Sequence, residues 1–187
     1  QPVEKNISLE AFNNQLTNVQ FFNVEDHWEI LRAQKIANEF KYTFHFIGSG
    51  SEYTIIDELK SLKGSLVIPI DFPAAYDVTN PYVARQIPLS DLKHWELAPK
   101  NPAILAQNGI QFCISSVGHK TAKDFWDHLR LAIQHGLTER DALAALTIHP
   151  AKLIGIDGET GTLEVGKKAS FTIYDVNPFQ EKATVME

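Results

Sequence analysis

Four short apolar runs alternate with stretches of helical periodicity, and no other feature limits the fold as much. The runs span residues 19–24, 42–47, 66–70 and 110–115. They are short, bounded by turn signals and rich in Phe, Val and Ile, so strands are expected there. After the first run, Trp28, Leu31, Ile36 and Phe40 recur at near-helical spacing within residues 25–40. Glu25 and Asp26 precede them, where the positive end of a helix dipole favours acids. Gly48-Ser49-Gly50-Ser51 reads as a turn, residues 52–63 as a helix, and Gly64 as its stop. Asn101-Pro102 is a capped start for a helix ending near Asn108-Gly109, and residues 122–135 and 138–146 give two more. Ser8 is expected to cap a short leading helix to about residue 14.

Four successive β-then-α units call for parallel strands joined by right-handed crossovers, hence an α/β fold. Four strands do not close a barrel, and a (β/α)8 barrel needs about 250 residues. The 187-residue chain is therefore either an open sheet complete in itself or half of such a barrel. Residues 71–102 form a proline-dotted connection too long to be a simple crossover, within which residues 90–97 are expected to form a helical turn. Beyond residue 155 the character changes. Residues 161–166 and 170–175 suggest a turn-rich β pair, giving domains at 1–155 and 156–187.

Composition narrows the function classes. Apolar residues make up 44% and charged residues 21%, ordinary values for a chain that folds. Lys and Arg number 17 against 23 Asp and Glu, a net charge of −6, so there is no footprint for a nucleic-acid backbone or an anionic membrane. Cys113 is the single cysteine, which leaves no intrachain disulfide and no multi-cysteine zinc site. The longest apolar runs fall far short of the roughly 20 residues of a membrane span. The chain begins at Gln1 and its only Met is Met186, so it is expected to be cut from a longer protein.

Residues 136–155, from Gly136-Leu137-Thr138 through Thr147-Ile148-His149-Pro150-Ala151 to Gly155, resemble the end of the amidohydrolase superfamily barrel. Gly161-Thr162-Leu163-Glu164-Val165-Gly166-Lys167-Lys168-Ala169 resembles the segment in which that chain returns to a small β-sandwich, with Ser170 where members usually have Asp. Residues 19–33, 52–73 and 101–112 resemble the second half of the imidazolonepropionase-like branch. The resemblance implies the C-terminal half of a TIM-type barrel, four β/α units, plus a short C-terminal β segment of the sandwich. It also implies a metal-dependent hydrolase of amide or cyclic-amide C–N bonds.

Members hold one or two divalent metals at the carboxyl ends of the strands, where metal lowers the pKa of a bound water and polarises the scissile carbonyl. Their ligands are two His on strand one, often a Lys on strand four, a His on each of strands five and six, and an Asp on strand eight. Carried over, the fifth-strand position falls at Asn23, whose amide oxygen is a weak zinc ligand. The sixth strand offers His45, inside the strand rather than at its mouth. After the eighth strand come Ser115-Ser116-Val117-Gly118, with Val117 in place of the Asp that binds metal and moves a proton. His119 is either a substitute ligand or an exposed loop histidine.

The remaining histidines read plainly: His27 in a helix's first turn, His128 and His135 on an outer helix face, His149 in a structural turn. In the long connection Asp91, His94, Trp95 and Glu96 cluster, either as a lid helix docking Trp95 and Leu97 or as ligand-binding groups. Gly48-Ser49-Gly50 offers backbone N–H groups to an anion or is simply a tight turn. Pocket candidates are therefore Asn23, His45, Tyr53, Asp71, Tyr76, His94, Glu96, Ser116 and His119, with His45, His94 and His119 the metal candidates.

Three functions fit. The preferred one is a degenerate amidohydrolase-like binding or structural module with no cofactor of its own, expected to hold no stoichiometric zinc. The others are an active hydrolase, with zinc or another divalent metal held mostly by an N-terminal half, and a free-standing α/β ligand-binding domain. A small-molecule ligand, self-association or docking with the N-terminal barrel half, and no nucleic acid or membrane partner are expected. The resemblance points to an exported, periplasmic protein.

Overall fold

The computed structural model describes residues 6–16 and 18–186. Four strands, β1 (Gln20–Asn23), β2 (Phe44–Ile47), β3 (Leu66–Pro69) and β4 (Phe112–Ser115), form one sheet in the order β1-β2-β3-β4. All three pairings are parallel, with Phe22 opposite Phe46, Phe46 opposite Leu66, and Leu66 opposite Phe112. The α/β half-barrel expectation therefore holds. Alternation is visible in β3, where Leu66 and Ile68 are buried and Val67 and Pro69 are half-buried.

The helices follow local chemistry. α2 (His27–Phe40) is capped by the Asp26 carboxylate, which accepts from Glu29 N–H. Its buried stripe is Ile30, Ala33 and Ala37, whereas Trp28, Ile36 and Phe40 are exposed. Small alanines let the helix axis approach the sheet, and of the expected apolar stripe Leu31 alone packs against the core. α1 (Ile7–Asn13) is capped by Asn6 rather than Ser8, because the Asn6 side chain reaches Leu9 N–H at 3.1 Å.

Residues 52–63 do not form one helix. They make a 3-10 turn at Glu52–Thr54 and a single turn, α3 (Ile56–Leu59), because the Glu52 side chain is drawn back onto the preceding loop. The long connection contains α4 (Pro81–Ala84), α5 (Leu89–Leu97) and a 3-10 turn (Ala98–Lys100) running into α6 (Asn101–Gln107). α7 (Ala122–Gln134) opens with a capping box of Thr121 and Asp124, and α8 (Glu139–Leu146) with a Thr138 cap. His149 and Pro150 lie inside a further helix, α9 (Ile148–Leu153), rather than in a turn.

The core joins Phe46, Leu66, Ile68, Ile70 and Phe112 of the sheet region to Leu105 of α6, Leu129 and Ala132 of α7, and Ala142 and Ala145 of α8. The tail packs on α7 through Phe179, whose ring lies 6.4 Å from that of Trp126. Residues 161–166 and 170–175 do not pair. Leu163 and Val165, which such a pair would have to shelter, remain in solvent, and the tail's β structure is one antiparallel bridge between Tyr174 and Val185. No helix among the described residues is long and apolar enough to cross a membrane.

Candidate functional site

The carboxyl ends of β2, β3 and β4 carry two polar clusters of opposite kind. After β2, the loop N–H groups of Ser49 and Gly50 both donate to Glu52 Oε1, at 2.6 and 2.9 Å. Glu52 Oε2 accepts from Asn101 Nδ2 at 2.7 Å, and Asn101 Oδ1 accepts from Tyr53 N–H at 2.8 Å. Glu52 is fully buried and Asn101 1% exposed, so each polar atom of this network finds its partner inside the protein. The anion cradle suggested by Gly48-Ser49-Gly50 exists, and the chain's own carboxylate fills it. Gly48 is required there, since a Cβ would overlap Glu52 Oε1.

The second cluster brings together residues that are distant in sequence. Asp71 follows β3, His119 follows β4, and His128 lies in α7; one ligand atom from each falls within 4.8 Å of the others. His119 Nε2 is 3.0 Å from His128 Nδ1, and His128 Nδ1 is 3.9 Å from Asp71 Oδ1. The three border a cavity of about 250 Å³, with Lys120 and Asp124 on its wall. Both imidazoles are held. His119 Nδ1 donates to the Ser116 carbonyl at 3.2 Å and its ring meets Phe125 edge-on, while the His128 ring lies 5.5 Å from Phe72. Gly118, at φ +92°, has no room for a Cβ because Asp71 occupies that space.

His128 is thus not on an outer face. It lies three residues after Phe125 and four before Ala132, the spacing of the inward stripe of α7, and that register is the signal that could have found it. His135, by contrast, is exposed at the helix end.

The other candidates are placed apart. Asn23 ends β1 and is exposed; Val117 is 69% exposed and has no donor atom. His45 is half-buried, its Nδ1 accepting from Ser65 N–H at 3.1 Å, and burial lowers its pKa. His94 Nδ1 is 3.0 Å from the Tyr53 hydroxyl, with the rings stacked, while Glu96 pairs with Lys100. Burial, then the Glu52 charge, raises the Tyr53 pKa. Tyr76 is exposed in the connection after β3, and Ser116 is exposed beside His119. His27 Nδ1 sits 3.4 Å from Ser51 Oγ, and His149 Nδ1 donates to the Phe112 carbonyl at 2.7 Å. Cys113 is buried, which pushes its thiol up to about 11 and keeps it neutral at physiological pH.

Comparison with known proteins places this geometry. The sequence model of the Amidohydrolase family matches residues 79–187, more than half of the chain. Imidazolonepropionase of Acinetobacter baumannii is 27% identical over 130 residues, covering 67% of this chain and 28% of that protein. Imidazolonepropionase of Maricaulis maris is 50% identical over 44 residues, 24% of this chain and 11% of that one. An amidohydrolase structure from Thermotoga maritima MSB8 superposes with a TM-score of 0.72 at 23% identity, covering 99% of this chain and 45% of its own. A prolidase solved with N-methylphosphonate-L-proline superposes with a TM-score of 0.57 at 16% identity, over 92% of this chain and 41% of its own. At these identities the structures share the fold, and this chain spans less than half of either.

Proposed function

Because the chain belongs to the amidohydrolase family, we propose that it is a half-barrel module that binds a small amide-like or cyclic-amide ligand at its strand ends without supplying the family's catalytic metal ligands. The observation that carries this is the end of β4, where Val117 offers solvent an apolar side chain in place of a carboxylate. Asn23 supports it at the end of β1, since a carboxamide binds zinc weakly. His45 supports it too, because its Nδ1 is engaged by Ser65 N–H.

The division at residues 155 and 156 into half-barrel and sandwich segment, and export to the periplasm, belong to the same proposal. So does the occupant of the free sheet edges. β1 and β4 each pair on one side, and Phe21 and Phe22 of β1 are exposed, which suits docking of the other four strands of a barrel.

The test is a hydrolysis assay of the intact protein against simple amides, lactams and imidazolones with added zinc, alongside Asn23→Ala and Val117→Ala. The expected result is no turnover above background in any of them. Turnover abolished by a chelator and by Asn23→Ala would establish the active hydrolase instead.

A further inference from the structure

We propose that Asp71, His119 and His128 form a three-ligand site for a zinc-type divalent cation, separate from the family's fifth-, sixth- and eighth-strand ligand positions. Zinc takes imidazole and carboxylate ligands at about 2.0–2.2 Å, which in tetrahedral geometry sets neighbouring ligand atoms about 3.4 Å apart. The observed 3.0 Å between His119 and His128 and 3.9 Å between His128 and Asp71 bracket that spacing. All three ligand atoms lie within 4.8 Å of one another, and side-chain rotation brings them to that spacing.

The surroundings fit a cation. A carbonyl can only accept, so the contact with Ser116 fixes the proton of His119 on Nδ1 and leaves the Nε2 lone pair aimed at the cluster. Metal-binding histidines are commonly oriented this way, through a backbone carbonyl on the other ring nitrogen. In the metal-free protein His128 Nδ1–H donates to that lone pair; metal binding requires only that His128 carry its proton on Nε2 instead. Phe125 and Phe72 hold the two rings, so little side-chain freedom is lost on binding. The carboxylates of Asp71 and Asp124 border the cavity against one ammonium, Lys120, while Asp127 on the same wall is paired with Lys123 and Arg130. Three protein ligands leave a fourth position open to the cavity, the arrangement of zinc sites that keep a water or an exchangeable ligand.

The test uses the intact protein, stripped with chelator, equilibrated with Zn²⁺, desalted and assayed for bound metal. His128→Ala and Asp71→Asn are compared with the parent, so that any other metal site cancels. The parent is expected to hold one equivalent more than His128→Ala, and Asp71→Asn to bind that equivalent at least 10-fold more weakly. Co²⁺ should give visible d–d bands in the parent that His128→Ala lacks. Far-ultraviolet circular dichroism of the metal-free proteins should coincide; if His128→Ala misfolds, Asp71→Asn decides alone. Equal metal content and equal Co²⁺ spectra in parent and folded variants would overturn the site and leave His119 and His128 as a hydrogen-bonded pair. The difference in metal content is read whether or not the protein turns over any substrate.

Discussion

The Glu52 network and the Asp71–His119–His128 cluster lie at the same end of one sheet and are built from similar groups, yet they differ in what remains to be satisfied. Around Glu52, two backbone N–H groups and an amide N–H converge on one carboxylate that is wholly inside the protein. Around His128, two imidazoles and a carboxylate face a shared, water-accessible volume, joined by one imidazole–imidazole hydrogen bond. The first arrangement is complete and holds the backbone. The second is balanced by a single imidazole hydrogen bond and has ligand capacity left over. Closure of the donor–acceptor inventory, more than polarity or burial alone, separates a structural cluster from a binding one.

The difference is open to attack where it is largest. Glu52→Ala strands one buried donor on Asn101 and two part-buried backbone donors, and the expected cost is about 3 kcal/mol of unfolding free energy in denaturant titrations. A loss below about 1 kcal/mol would show that the network is not what holds the loop.

His45 lies between the extremes, half-buried with one nitrogen engaged, and it sharpens the comparison through pH. Burial lowers its pKa in the folded state, so the unfolded chain binds more protons below its ordinary value of 6.5. Its contribution to stability is therefore present above pH 6.5 and lost as pH falls from there toward the lowered folded value. His45→Gln, which keeps an acceptor for Ser65 N–H, should flatten the stability profile in that window; an unchanged slope would refute the assignment.

The smallest effect belongs to the open cluster. Without metal, Asp71→Asn should change stability by no more than about 0.5 kcal/mol, since Asp71 is exposed and the His128 imidazole is 3.9 Å away. A loss above about 1 kcal/mol would make the cluster structural and erase the contrast.

The four strands are legible in the sequence because apolar runs of about five residues bounded by turn signals have few alternatives. The pairing at the site is not. His119 is visible beside Val117 as a loop histidine, but its partner His128 looks like an outer-face residue until the inward register of α7 is fixed by Phe125, Leu129 and Ala132 packing on the sheet region. Glu52 misleads in a related way. An acid at a helix start predicts a longer helix, whereas the inward turn of its side chain shortens the element to a 3-10 turn and α3. The tail shows the limit of pattern alone, because residues 161–166 and 170–175 read as partners, yet Tyr174 bridges Val185 instead.

The absent side chain at Gly118 links two loops in an evolutionary sense. The Asp71 carboxylate occupies the space a methyl at residue 118 would need, and the left-handed backbone there already disfavours any L side chain. Substitution at one position is thereby filtered by the other. An aspartate at 71 restricts 118 to glycine, whereas a smaller residue at 71 relaxes the steric constraint and leaves only the backbone preference. Positions 71 and 118 form a pair expected to drift together, and a lineage that releases one has already surrendered the carboxylate that the two histidines face.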